Sequence, residues 1–400
     1  MNNIRKLTDS LFWVGVNDRR IALFENVYPV PTGMSYNSYV LLDEKTALFD
    51  TVDASFTHDF LKNVNAALKS RTLDYLIVNH MEPDHCASIA DVIAVYPEAK
   101  IVCTAKAVGM MKQFFDFDVD SRAILVKEGD TISLGSHELT FVMAPMVHWP
   151  EVMVTYEKTE KILFSADAFG SFGAVDGNIF ADEIDDKVAW LSEARRYYTN
   201  IVGKFGMSVQ GLLKKAAGLE IRMICPLHSV IWREDLPWLI DKYLKWSSYT
   251  PEEKSVTIAY GSVYGHTEKA ADILAGKLAD RGIRHISVFD VSKTHPSYII
   301  ADAFRTSAIV FASITYNGGI FCNMDTLLHQ LAAHGLTNRT AALIQNGTWA
   351  ATTSKQMGEI LGTMKNIHVL ESDVTIKSAL KDNQEAELDA LADAIAASLQ

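Results

Sequence analysis

Asn79-His80-Met81-Glu82-Pro83-Asp84-His85 follows directly on the apolar run Tyr75-Leu76-Ile77-Val78, and this junction decides how the first part of the chain is read. A short apolar run that ends in strongly polar residues reads as a buried strand. His80, Glu82, Asp84 and His85, all able to bind metal, stand within six residues at its end. Residues two apart on an extended segment face the same side, so His80, Glu82 and Asp84 can converge before Asp84-His85 turns into a helix around residues 87–95. The donors are imidazole and carboxylate without thiolate, which suits iron or manganese at least as well as zinc. That mixture hints at redox chemistry rather than simple hydrolysis.

One cluster is not a complete site, and three later residues have the right placement to extend it. His148 comes after the apolar run 139–143, Asp167 after 161–164 and His228 after 222–225. Each stands just past a short strand-like segment, where active-site residues gather in α/β architectures. His58 and His137 lack such a context and are expected to be solvated.

The 400 residues exceed one ordinary core, so two domains are expected. Hydrophobic residues at 48% and charged residues at 22% are ordinary for a globular protein. The formal charge of −12 argues against a nucleic-acid binder. No apolar stretch is long enough for a membrane span, and the first residues do not resemble a signal peptide. Cys86, Cys103, Cys225 and Cys322 are scattered, with no Cys-x-x-Cys pair. They read as free thiols of a reducing, cytoplasmic protein, and any small iron–sulfur donor must be a separate chain.

Across residues 1–250 short strands and helices mix. The runs 38–42 and 46–49 flank Asp43-Glu44-Lys45 as a hairpin, and further strands are expected at 100–103, 139–143, 152–156, 161–164 and 222–225. Helical spacing appears over 60–68, 105–115 and 235–246. Two sheets with helices outside fit this order better than one parallel sheet. Residues 247–254 are polar, carry Pro251 and form the best linker candidate. From 254 to 400 the pattern is regular. Strands at 256–260, 286–289, 308–312, 341–344 and 367–370 alternate with helices at 268–279, 296–304, 324–333, 354–364 and 385–399. Such alternation predicts a doubly wound, five-stranded parallel sheet.

The first strand of that second domain runs into Ser262-Val263-Tyr264-Gly265-His266-Thr267 and then a helix. Small and hydroxyl residues at a strand-to-helix turn let amides approach a phosphate. There is neither a Gly-x-Gly-x-x-Gly fingerprint nor a Walker lysine, so a mononucleotide is favoured over NAD or ATP. Two more loops open at the same sheet edge: Ser313-Ile314-Thr315-Tyr316-Asn317-Gly318-Gly319 and Asn346-Gly347-Thr348-Trp349. Tyr316 and Trp349 can cover an apolar ring system, and backbone groups near Asn317, Gly318 and Gly347 can meet its polar edge.

With these residues in view, the first domain resembles the metallo-β-lactamase fold, an αββα sandwich, and the second resembles flavodoxin. The chain as a whole is most similar to the flavodiiron proteins, or A-type flavoproteins. Hydrolytic members of the first fold usually carry His where Glu82 stands. The resemblance implies two irons per chain: His80, Glu82 and His148 on one, Asp84 and His228 on the other, and Asp167 bridging. His85 matches a position that is not reliably a ligand and is expected just behind the ligand set. It also implies FMN in the three loops, and an O₂ or NO reductase making water or N₂O. Electrons would come from an external donor, a rubredoxin-like protein or reduced deazaflavin, and pass through FMN to the irons. FMN hydroquinone with two electrons and two ferrous ions with one each match the four that O₂ requires. A head-to-tail homodimer, or a dimer of dimers, is implied as well. The alternative is a dizinc hydrolase with a flavodoxin-like regulatory domain.

Overall fold

The computed structural model describes residues 1–400. It divides into two compact units, Met1–Tyr198 with Met207–Leu244, and Thr199–Gly206 with Lys245–Gln400.

The first unit holds two mixed sheets. One orders its strands as Arg5–Lys6, Leu11–Trp13, Tyr39–Leu42, Thr46–Phe49, Tyr75–Ile77, Lys100–Cys103 and Ala123–Leu125. The other orders Thr131–Ser133, Glu138–Met143, Met153–Glu157, Ile162–Phe164 and Met223–Cys225. Alternate residues along these strands meet between the sheets, as the period of two requires. Tyr39, Leu41, Ala47 and Phe49 from one side share a core with Leu139, Phe141, Ile162 and Phe164 from the other. Phe49 and Phe164 stack with ring centroids 3.8 Å apart. The αββα expectation is met. The helix expected around 87–95 is broken into Pro83–Cys86 and Ile89–Val95, because Pro83 is preset for a first helical turn and starts it earlier.

Thr46–Phe49 and Tyr75–Ile77 run parallel, with Ala47 beside Tyr75 and Phe49 beside Ile77. Their C-terminal ends therefore deliver Asp50 and the segment 79–85 to one edge of the sandwich.

The second unit has the parallel order Ser287–Asp290, Glu253–Gly261, Thr306–Tyr316, Arg339–Asn346 and Ile367–Ile376. Val256, Ile258 and Tyr260 enter one core while Ala259 enters the other, so both faces are covered by helices and the strands are apolar on both sides. One addition was not expected: Gly319–Ile320 pairs antiparallel with Thr306–Tyr316. Asn317 and Gly318, at φ +50° and +78°, form the two-residue turn, the sequence preferred where both central residues need positive φ.

Candidate functional site

The turn after Tyr75–Ile77 is fixed from below by a buried carboxylate. Asp50 Oδ1 accepts from the backbone N–H of Asn79 at 2.7 Å and of His80 at 3.1 Å, and Oδ2 accepts from Asn79 Nδ2 at 2.7 Å. Met81 and Glu82 are thereby held as a short extended link into the helix Pro83–Cys86, and the side chains at 80, 82, 84 and 85 gather inside.

The metal-capable side chains fall into two groups, His80, Glu82, His148 and Asp167, then Asp84, His85 and His228. Within each, one ligand atom per residue lies within 4.8 Å of all the others. His80 Nε2 is 3.3 Å and His148 Nε2 3.2 Å from Asp167 Oδ2. His85 Nε2 is 3.2 Å and His228 Nε2 3.6 Å from Asp167 Oδ1. One carboxylate thus offers an oxygen to each group. All six residues expected as ligands are brought together. His85, expected behind them, lies with its Nε2 3.4 Å from Asp84 Oδ2 and 3.0 Å from His228 Nε2, inside the second group.

Two of the imidazoles are aimed from outside. His80 Nδ1 lies 2.8 Å from Glu151 Oε1, and His228 Nδ1 lies 2.7 Å from the Ser35 carbonyl. Each acceptor takes the Nδ1 proton, leaving the Nε2 lone pair pointing inward. Meanwhile His80 Nε2, both oxygens of Asp84 and both of Asp167 are buried without a hydrogen bond. Buried polar atoms without partners are costly, and here they face a common centre. The residues present therefore fit divalent metal ions, which would meet these lone pairs.

The electrostatics agree. Burial would raise the Asp167 carboxyl, yet His80, His148 and His85 hold it well below the usual range. Burial, with Glu82 and Asp167 nearby and His85 opposing, pushes Asp84 up to about 7. Burial would lower His148, yet Asp167 and Glu82 raise it to about 9, so imidazoles and carboxylates in this cluster answer one another's charge.

Several neighbours carried no sequence signal. Glu151 is one. Tyr197, from the helix Lys187–Tyr197, is fully buried with an unbonded hydroxyl, and its ring lies 5.4 Å from His228. Its pKa is raised by burial, then by Asp167, Glu82 and Asp84. Phe24 and Tyr36 approach His228 at 5.5 and 6.0 Å, and Trp149 meets His80 edge-on at 5.4 Å. Glu25, at a hairpin tip with φ +50°, is raised to about 8 by burial and the charge of Glu82. Of the two histidines set aside, His58 is exposed. His137 corrects the expectation: it is 8% exposed and bonded to Asp43 and Ser10.

The second unit carries a separate cavity of about 450 Å³ at the C-terminal edge of its sheet. Ser262, Val263, Tyr264, His266, Thr267, Ile314, Thr315, Tyr316, Asn346, Gly347, Thr348 and Trp349 line it, joined by Ala350 and Ser378, which the sequence reading missed. Gly265, Ser313, Asn317, Gly318 and Gly319 do not. Gly265, at φ +86°, shapes the loop while its N–H donates to Ser262 Oγ. Ser313 Oγ is used up on Phe321 N and the Ile314 carbonyl. Asn317 to Gly319 belong to the small hairpin that follows Tyr316.

Gly347 tolerates no side chain, since a Cβ would lie 1.9 Å from the Ala350 carbonyl. Asn346 ties the loops together through Thr267 Oγ1 and both backbone groups of Ser378. No lysine or arginine lines the cavity. Tyr264 and Trp349 are 90% and 91% exposed, large faces without a core of their own. Uncovered aromatics beside a cradle of amides and hydroxyls fit a phosphorylated planar ring.

A family model described as ODP family beta lactamase matches residues 34–229. An anaerobic nitric oxide reductase flavorubredoxin of Escherichia coli O1:K1 / APEC is 30% identical over 352 residues, spanning 86% of this chain and 72% of the relative. Rubredoxin oxygen:oxidoreductase of Desulfovibrio gigas matches with TM-score 0.92 at 28% identity, covering 99% of this chain and 98% of the other. A flavodiiron protein of Giardia intestinalis matches with TM-score 0.92 at 25% identity, covering 100% and 98%. A β-lactamase-like unit with a carboxylate–imidazole centre, followed by a flavodoxin-like unit, defines a class of two-cofactor proteins. The chain belongs to the flavodiiron protein family. These relatives do not favour the hydrolase alternative. No helix is long and apolar enough to cross a membrane.

Proposed function

We propose that this chain is a flavodiiron reductase of O₂, of NO, or of both, with FMN in the second unit's cavity and two irons in the first unit's centre. His80, Glu82 and His148 would hold one iron, Asp84 and His228 the other, and Asp167 would bridge. His85 stands within reach of the second. Asp167 carries this reading, because its two oxygens face two separate imidazole groups. When bound, the flavin and the iron pair supply the electrons by which O₂ goes to water or two NO go to N₂O.

The chain's own residues do the rest. Glu151 and the Ser35 carbonyl orient two ligand rings. Phe24, Tyr36 and Trp149 line the centre with apolar faces that limit water. The Tyr197 hydroxyl, unbonded near His228, can donate a proton to a reduced substrate. In the second unit, amides and hydroxyls from Ser262 to Thr267 would hold the phosphate, and Tyr264, Tyr316 and Trp349 would cover the ring.

The same proposal includes an external donor, a rubredoxin-like protein or a reduced deazaflavin, a cytoplasmic setting, and a head-to-tail homodimer or dimer of dimers. Iron and FMN content of anaerobically prepared protein tests it, with O₂ and NO consumption followed on the same sample. Two irons and one FMN per chain with consumption of either gas are expected. Protein that takes up no ferrous ion under argon, or that consumes neither gas when loaded, overturns the proposal.

A further inference from the structure

At the opposite end of the first unit's sandwich, four turns meet. Asp50 and His80 follow the C-terminal ends of the parallel strands Thr46–Phe49 and Tyr75–Ile77, whereas Asp43 precedes the N-terminal end of the first. Beside Asp43 lie Ser10, His137 and Glu160, from turns far apart in sequence. Ser10 Oγ is 3.3 Å from His137 Nε2, and His137 Nδ1 is 2.9 Å from Asp43 Oδ2.

Hydrogen bonds orient the imidazole from its Asp43 side. Asp43 accepts from His137 N at 2.6 Å, from Glu44 N at 2.8 Å and from Ser136 Oγ at 3.0 Å. These bonds overcome burial and bring its carboxyl down to about 2, so it is ionised. An ionised Asp43 takes the Nδ1 proton of His137, which leaves Nε2 as one of two acceptors 3.3 Å from Ser10 Oγ, the other being Glu160 Oε2. A hydroxyl, an imidazole and an orienting carboxylate in this order are the parts of an activated serine nucleophile, recognised by geometry and not by fold. Ser10 is partly exposed, so a small reagent can reach it.

We infer that Ser10 is an acylation site, activated by His137 and Asp43, that accepts one acyl group from an uncharged activated ester. In that step Ser10 Oγ forms a bond to the ester carbonyl carbon and its proton passes to His137 Nε2. The bond to the alcohol breaks, and the alcohol leaves with that proton. No oxidant or reductant takes part. Two further observations define the chemistry. Glu160 Oε2 accepts from Ser10 Oγ at 3.3 Å, and Lys6 is matched to Asp9 at 2.7 Å. The surroundings are therefore negative and disfavour anionic donors such as acyl phosphates. The N–H groups of Ser10 and Leu11 are both spent on Thr8 Oγ1, at 3.3 and 3.1 Å, so they do not form an oxyanion hole. Its absence slows acylation and hydrolysis alike, but the activated ester has the better leaving group, so the plain serine ester that forms persists and is not hydrolysed catalytically.

The test treats the full-length, folded protein with p-nitrophenyl acetate and, separately, with a neutral fluorophosphonate, and maps the adduct by peptide mass spectrometry. One equivalent of nitrophenol without sustained release is expected, with Ser10 as the modified residue. Ser10→Ala should abolish the adduct, and His137→Gln should slow it about 100-fold. Urea-unfolded native chain controls for intrinsic serine reactivity and needs no variant to fold. Modification of Ser10 no faster than in the unfolded chain, an undiminished rate in His137→Gln, or continued turnover beyond one equivalent would each overturn the inference. The flavin and metal readings are untouched by any of these outcomes.

Discussion

His80 Nδ1 lies 2.8 Å from Glu151 Oε1, and the same oxygen accepts the Met81 N–H at 2.8 Å. One carboxylate thus fixes both the ring and the backbone beside it, and turns Nε2 toward Asp167 at 3.3 Å. Removing such an outer partner typically costs ten- to hundredfold in metal affinity. Glu151→Ala is expected to weaken iron binding by about that factor, read by competition with a chelator. Glu151→Gln keeps an acceptor at the same place and should recover part of it. Equal affinity in all three proteins would show that the ring needs no such support.

Which parts of this were legible in the sequence follows from how local they are. His80, Glu82, Asp84 and His85 announce themselves because one strand end carries all four. Glu151 does not, since its partner is 71 residues away and nothing in its neighbourhood marks it. Tyr197 sits in a helix whose apolar face hides it among ordinary core residues. Ser10, Asp43 and His137 are joined across 94 and 127 residues, so His137 looked solvated until its turn met the others. The strands at 5–6, 11–13 and 16–18 have two or three residues each, too short for alternation to declare itself. Asn317-Gly318 is also a two-residue turn signal, and positive φ at both residues places them in that turn.

Tyr197 separates function from packing. Its hydroxyl is buried without a hydrogen bond, so Tyr197→Phe removes an unsatisfied polar group and thermal stability should hold or rise. Loss of a proton donor, by contrast, should lower turnover by about 10²-fold. Melting temperature and gas consumption on iron-matched samples read the two effects apart. Unchanged turnover would make the hydroxyl idle.

Asp43 sets a pH dependence. Its folded value of about 2 lies below the ordinary 3.8, despite burial, because His137, Glu44 and Ser136 bond to the charged form. A depressed carboxylate contributes stability that is fully present above the unfolded value and disappears as pH falls through the folded one. The shift corresponds to roughly 2 kcal/mol. Asp43→Asn is therefore expected to be less stable than the native protein by about that amount at pH 7. The gap should narrow from pH 4 toward pH 2. Urea unfolding of both proteins at several pH values measures it, and a gap constant with pH would contradict the assignment.

Trp349 is 91% exposed and Tyr264 90% exposed, yet both border the same cavity. A tryptophan with so little buried area contributes little to folding, so Trp349→Ala should change unfolding stability by no more than about 0.5 kcal/mol. Stacking on a planar ring is another matter, worth on the order of 1 kcal/mol beyond the area covered. FMN affinity should therefore fall about tenfold or more, measured by recovery of flavin fluorescence on dilution. Gly347→Ala acts by a different route, since its Cβ would collide with the Ala350 carbonyl and displace the loop that carries Trp349. It should weaken FMN at least as much and also lower stability. If Trp349→Ala binds FMN as tightly as the native chain, the indole does not cover the ring, and Tyr264 or Tyr316 must do so alone.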